Sequence, residues 1–359
     1  MQDRNINIKS MKRVIATLVL VIATVLSTEA QEVKNIIYLI GDGMGLTSAS
    51  MMQLVNNYEH TIFDKADNVA LQKTYSLDNR VTDSAASGTA LATGHKTNNT
   101  MLGQLPDGTN VESLIELASS KGKATGIVVT TYLQHATPGA FYAHVPSRHE
   151  YATISEQLLA SDIDIAIGGG MAFFEERYGD NGKARQAIAE SGFTLHKSID
   201  TELSGERILA LLADKEIENR TGYLAKATTV AINHLENCNE GFVLMVEGSL
   251  IDGMGHGNNA EGQKSEMRDF MEAIEVAVAY AREHSDTLVV VTADHETGGL
   301  AIVSGNADFN LSEQGVEYKW STGGHSGTMV PIYLYGACAE LINGVMENAD
   351  LGQRLKALI

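Results

Sequence analysis

Six stretches of this chain are apolar with almost no polar alternation: residues 33–40, 123–131, 163–167, 242–246, 287–292 and 329–335. Short runs of this kind predict strands covered on both faces. Helical periodicity lies between them, at 111–120, 151–160, 223–235 and 261–283. The last places Met267, Phe270, Met271, Ile274, Val278 and Ala281 on one side, where the methionines read as core filling. Strands alternating with helices predict an α/β three-layer sandwich, with a central, mostly parallel sheet covered by helices on both faces. No repeat or low-complexity linker divides the chain. The longest loop-like stretch, 304–324, is too short for a second domain, so residues 31–359 are expected to form one.

The N-terminus stands apart. Lys12 and Arg13 precede a thirteen-residue, mostly apolar run, and Ser27-Thr28-Glu29-Ala30 resembles a small-residue cleavage site. A bilayer span needs about 20 residues. Residues 1–30 therefore predict an export signal, with 1–10 as an upstream extension, and a periplasmic or secreted mature protein without a membrane span. The chain carries a net charge of −19, and −21 once those 30 residues are set aside. Such a chain is no general nucleic-acid binder. Handling an anion would require a local positive source. Cys238 and Cys338 are the two cysteines, and whether they pair stays open.

The candidate chemistry clusters just past the apolar runs, where ligand sites of open α/β sheets lie. Gly41-Asp42-Gly43-Met44-Gly45 lacks the third glycine of a dinucleotide fingerprint, since position 46 is Leu. Its carboxylate suits a cation better than a pyrophosphate. Glu247 ends another run, and Asp252 and His256 follow at helical i, i+4 spacing, a zinc-like donor pair. Asp294-His295 follows the 287–292 run, and His325 lies in a glycine-rich loop. Ser84 sits where Thr82-Asp83-Ser84-Ala85-Ala86-Ser87 turns into a helix of small residues. That position suits either an ordinary N-cap or a nucleophile beside an anion site. A serine hydroxyl needs an activator, and no histidine is adjacent in sequence.

Taken together, these segments resemble the alkaline phosphatase family. The resemblance covers essentially the whole mature chain, in the family's motif order: residues 36–44, Thr82 to Ser87, Ala136-Thr137-Pro138, Arg148, Glu247-Gly248 through His256, Thr292 to Glu296, and Gly323-Gly324-His325-Ser326. It implies hydrolysis of small-molecule phosphate monoesters at alkaline pH through a phosphoserine on Ser84. It implies two Zn2+ ions and one Mg2+. Asp252, His256 and His325 would hold one zinc; Asp42, Asp294 and His295 the other, beside Ser84; Asp42, Thr137 and Glu247 the magnesium. Arg148 would clamp phosphate oxygens, a task for its planar fork. With these ions the pocket is positive inside an acidic chain, as an anionic substrate needs.

Two departures leave alternatives open. His135 stands where some bacterial members carry Asp, and it could bind a metal, act through water or only pack. Gly253 stands where some carry Lys. The chain is short for the family, which leaves a homodimer possible but its contacts open. Rival readings are a diesterase, phosphonate hydrolase or sulfatase of the same superfamily, and an exported phosphate- or metal-binding protein. No C-x-P-x-R sulfatase segment is present, and a mere binder has no need of Ser84.

Overall fold

The computed structural model describes residues 33–180, 182–217, 221–305 and 315–359. The expected export signal lies outside the described residues.

The strands, in chain order, are β1 (Asn35–Gly41), β2 (Asn68–Lys73), β3 (Ala124–Tyr132), β4 (Ile165–Gly169), β5 (Phe193–His196), β6 (Arg207–Leu211), β7 (Phe242–Gly248), β8 (Thr287–Thr292), β9 (Glu296–Thr297), β10 (Leu300–Ser304), β11 (Val316–Trp320), β12 (His325–Ser326), β13 (Val330–Gly336) and β14 (Gly344–Glu347). The helices are α1 (Leu46–Val55), α2 (Ser84–Thr93), α3 (Leu114–Ser120), α4 (Ala136–Gly139), α5 (Tyr151–Ala160), α6 (Met171–Tyr178), α7 (Lys183–Glu190), α8 (Tyr223–Leu235), α9 (Leu250–His256), α10 (Ala260–Glu283) and α11 (Asn348–Ala357). Ten strands form one sheet in the order β14-β2-β13-β8-β1-β7-β3-β4-β6-β5. Within it only β13 runs against its neighbours, β8 and β2.

The apolar runs become the middle of this sheet. Ile36, Tyr38 and Ile40 of β1 point into one hydrophobic layer, while Ile37 and Leu39 point into the other. β7 divides likewise, with Val243 and Met245 on the first side and Phe242, Leu244 and Val246 on the second. Each strand is thus buried on both faces, which is why its sequence shows no alternation. Residues of α2, α3, α5, α6, α7 and α11 fill the first layer. Those of α1, α8 and α10 fill the second. No described helix is long and apolar enough to cross a membrane.

Several expectations shift at their edges. The helix expected from 111 begins at Leu114, because Ser113 and Glu116 close a capping box there. The stretch expected to be a loop from 304 contains β11, which pairs with β10 as an antiparallel hairpin. The thiols of Cys238 and Cys338 are not joined.

Two packing contacts set up the site. α2 is buried along its whole length and is built from small residues. A methyl group on its Gly88 would lie 3.3 Å from Ala140 Cβ and Thr137 Cα, so glycine lets α4 lie close against it. On the second face, the fully buried Phe270 of α10 lies over the glycines that end β1 and β7. A Cβ on Gly41 or Gly248 would meet its ring at 3.1 and 2.8 Å. These strand ends carry Asp42 and Glu247. Truncation by Phe270→Ala should lower stability by about 3–5 kcal/mol, as for other buried aromatics. Urea unfolding measures this, and a loss under about 1 kcal/mol would show that Phe270 does not hold the strand ends.

Candidate active site

The acidic and imidazole side chains meet above the ends of β1, β7 and β8. Asp42 follows β1, and its main-chain N–H donates to the Gly248 carbonyl at 3.2 Å, continuing the sheet pattern one residue further. Glu247 is the penultimate residue of β7. Asp294 and His295 follow β8. The Asp294 Oδ1 accepts from the N–H groups of Gly43 at 3.1 Å and His295 at 3.0 Å, which fixes its carboxylate against the β1 turn. Gly43 has φ +72°, and a Cβ there would lie 2.8 Å from Asp252 Cα. Only glycine permits that approach between the β1 turn and α9.

Asp252 and His256 lie one turn apart on α9, despite two intervening glycines. Gly255 has its own reason: a Cβ there would lie 2.9 Å from Thr297 Cγ2. His325 stands on β12, directly across from Thr297 of β9.

Three groups of donor atoms result. Asp252, His256 and His325 form one, on the more exposed side; Asp42, Asp294 and His295 form a fully buried second; Asp42, His135 and Glu247 form a third. In each, the donor atoms lie within 4.8 Å of one another. In the first, His256 Nδ1 lies 2.7 Å from the Gly323 carbonyl and His325 Nδ1 lies 2.8 Å from the Thr82 carbonyl. Those carbonyls accept Nδ1–H and leave both Nε2 atoms, 3.2 Å apart, facing Asp252. In the second, His295 Nε2 lies 3.2 Å from Asp294 Oδ2 and 3.5 Å from Asp42 Oδ1. Asp42 and Asp294 thus face the same imidazole nitrogen.

Ser84 Oγ lies 3.2 Å from that same His295 Nε2. Ser84 is the first helical residue of α2. The cap is Asp83, whose Oδ1 accepts from Ala86 N–H at 3.0 Å. Thr137 Oγ1 is 3.5 Å from Asp42 Oδ2, on the side of the third group. Arg148 stands between Asp83 Oδ2 at 3.3 Å and His135 Nε2 at 3.2 Å. Gly253 faces open space.

The electrostatics reflect the crowding. Burial, then the charges of Asp294, Asp252 and Glu247, pushes Asp42 well above the ordinary carboxylate range. Burial lifts Glu247 to about 8. Burial also works to raise Asp294, but His295 beside it holds it below its usual value. Asp252 is likewise held down, against burial, by its hydrogen bond with His256. That bond raises His256 to about 9. His135 is driven down to about 3 by burial and then by the Arg148 charge.

Three participants escaped the sequence reading or stayed open in it. Asp83 both caps α2 and orients Arg148. Thr297 shares its hydroxyl between Asp252 and His295 Nδ1, linking the first two groups. Its signal was position alone, two residues beyond His295 on an extended segment. His135 joins the third donor group. Of the other histidines, His144 pairs with Glu116 at 2.8 Å, and His60, His95, His149, His196, His234 and His284 belong to none of the three groups.

Comparison with known proteins accords with this geometry. The family model for alkaline phosphatase matches residues 33–315. Alkaline phosphatase 3 of Bacillus subtilis is 31% identical, with 91% of this chain and 89% of that protein covered. The solved alkaline phosphatase of the Antarctic bacterium TAB5 superposes with a TM-score of 0.86 at 35% identity, over 92% of this chain and 98% of that one. A histidine-to-aspartate mutant of the TAB5 enzyme, solved with Mg bound in its M3 site, is similar at a TM-score of 0.86 and 34% identity, over 92% of this chain and 99% of that one. The motif order read along the sequence, the shared fold and the matched length lead to one conclusion: this chain belongs to the alkaline phosphatase family and is a phosphatase.

Proposed function

We propose that the protein hydrolyses small-molecule phosphate monoesters at alkaline pH, with Ser84 as nucleophile and phosphoserine as intermediate. The observation that carries this is the surroundings of His295 Nε2. Ser84 Oγ, Asp42 and Asp294 all approach this one nitrogen, while Nδ1 meets the Thr297 hydroxyl. A proton-relay triad needs its carboxylate on the opposite ring nitrogen from the serine. This arrangement suits a shared cation instead.

The donor sets fit the metals the family resemblance implies. Asp42 Oδ1, Asp294 Oδ2 and Glu247 Oε1 are buried and have no hydrogen-bond partner among the described residues. Buried carboxylate oxygens in that condition call for cations. Asp252, His256 and His325 suit one Zn2+, and Asp42, Asp294 and His295 a second. Asp42, Glu247 and Thr137 offer oxygen donors that suit Mg2+, with the His135 imidazole beside them in the third group; the TAB5 mutant with Mg in its M3 site carries aspartate in place of a histidine. Bound ions would supply the positive field for phosphate and would lower the pKa of the Ser84 hydroxyl.

The chain's own residues do the rest. The first turn of α2 aims Ser84 Oγ at phosphorus from a helix N-terminus, where free N–H groups favour an anion. Ser84 bonds to phosphorus as the ester oxygen leaves, and water then releases phosphate from the serine. Arg148, oriented by Asp83, binds two phosphate oxygens and holds them in line. Residues 31–359 act as one catalytic domain behind an export signal in 1–30, which places the enzyme in the periplasm or outside the cell.

Ser84→Ala should lower turnover of an aryl phosphate by at least about a thousandfold. Its metal content should match wild type, and acid quenching with labelled substrate should trap phosphoserine only in wild type. Full turnover by the variant would end the nucleophile assignment. An aryl diester hydrolysed faster than the monoester would overturn the substrate class.

The metal-free protein carries a pH signature. Glu247, raised to about 8, and His256, raised to about 9, keep protons on folding that the unfolded chain releases at lower pH. Stability should therefore fall as pH rises between about 6.5 and 9, above the range in which the lowered His135 acts in the opposite sense, and zinc plus magnesium should flatten that slope. Thermal melts of chelated and metal-loaded protein across this range make the comparison. Chelated protein that gains stability with rising pH would contradict the site's electrostatics.

A further inference from the structure

Behind Ser84, a buried chain of hydrogen bonds runs from the C-terminal helix to the second donor group. Ser87 is one turn beyond Ser84 on α2 and is fully buried. Its Oγ donates to the Asp294 carbonyl at 2.6 Å. It also accepts from Asn348 Nδ2 at 3.0 Å. Asn348, 1% exposed, is the first residue of α11. Its Nδ2 also reaches the Thr74 carbonyl at 3.4 Å, and its Oδ1 accepts the Ala349 N–H at 3.0 Å.

The polarity of this chain is set by chemistry. An amide nitrogen only donates, so the single Ser87 proton is committed to Asp294. The preceding carbonyl, of Ala293, is held by Gln72 Nε2 at 2.8 Å. The Asp294 side chain is held in turn by the Gly43 and His295 N–H groups. The peptide that joins Asp294 to His295 is therefore clamped from several directions, and Ser87 is the clamp on its carbonyl. That peptide carries His295, whose Nε2 meets Ser84 Oγ, and Asp294, whose carboxylate meets the same nitrogen.

We propose that Ser87 and Asn348 are positioning residues. Their bond to the Asp294 carbonyl sets the second donor group relative to Ser84 Oγ and ties the α11 N-terminus to the reacting centre. The inference rests on Ser84 being the nucleophile. The bond acts on a distance that matters most in the transition state, so its loss falls on kcat and not on KM.

Two variants separate this role from simple core packing. Ser87→Ala removes the donor. Asn348→Asp, assayed at alkaline pH, is nearly isosteric but replaces the donor with an acceptor, turning the Ser87 proton away from Asp294. Each, as metal-loaded enzyme, should lose about tenfold in kcat, equivalent to about 1.4 kcal/mol, with KM changed less than about twofold. Each should release zinc to a chelator faster than wild type, a readout independent of turnover. The double variant should be no worse than the poorer single, because both act through one bond. Folded single variants with wild-type kcat and zinc retention, or losses that multiply in the double variant, overturn the proposal. Phosphoserine trapping in wild type and Ser84→Ala runs alongside. Trapped phosphoserine with unchanged Ser87→Ala kinetics rejects the positioning role alone, whereas its absence rejects the nucleophile on which the role depends.

Discussion

Four carboxylates crowded at the ends of three parallel strands are the constraint on which this structure depends. Asp42, Glu247 and Asp294 are fully buried, and Asp252 is mostly so. Burying one uncompensated carboxylate is costly, and clustering several is worse. The fold places His295, His256 and His325 among them, but imidazoles alone leave oxygen atoms of three carboxylates without hydrogen bonds. Such a cluster accords with the proposed metal sites. The pocket is negative as polypeptide; with the proposed ions bound it would be positive, which would let an acidic chain take an anionic substrate.

Holding this cluster together takes most of the central sheet and both helical layers. On one face, Phe270 lies over the ends of β1 and β7. On the other, α2 sits between α4 and α11 through glycine contacts: a Cβ on Gly352 would lie 2.6 Å from the Ala90 carbonyl. Those contacts deliver Ser84 to His295. Loops then stitch the donor groups to one another. Thr297 links Asp252 to His295. Glu296 accepts from the N–H groups of Gly299 and Leu300 at 3.2 and 3.1 Å and from Ser326 Oγ, which fastens the His325 segment to the end of β9. The site is held by main-chain atoms and close-packed small residues, together with the side chains of Phe270, Gln72 and Glu296.

The middle of the fold was legible because double burial leaves a plain signature. The run at 287–292 is β8 itself, and the pattern at 223–235 is α8 itself. The sheet edges were not legible. β5 and β14 have four residues each, and β2 mixes exposed and buried positions, so neither length nor periodicity marks them. Of the site, the ligand types and their places at strand ends could be read, and the family resemblance assigned them roles. What could not be read was their partnership. The two glycines between Asp252 and His256 argue against a helix locally, yet α9 forms, and Gly255 lets it pass close to Thr297. Asp83, Thr297 and Asn348 act through contacts with residues distant in sequence, and no local pattern carries that.

The central claim is that these donor groups are metal sites arranged around a nucleophilic serine. Anomalous scattering measured above and below the zinc edge, on crystals grown with zinc, magnesium and phosphate, tests it most directly. The account predicts two zinc peaks, one among Asp252, His256 and His325 and one among Asp42, Asp294 and His295. It also predicts a lighter ion beside Glu247 without a zinc-edge signal, and phosphate between Ser84 and Arg148. Crystals with no zinc signal at either group, or with phosphate bound away from Ser84, would contradict it.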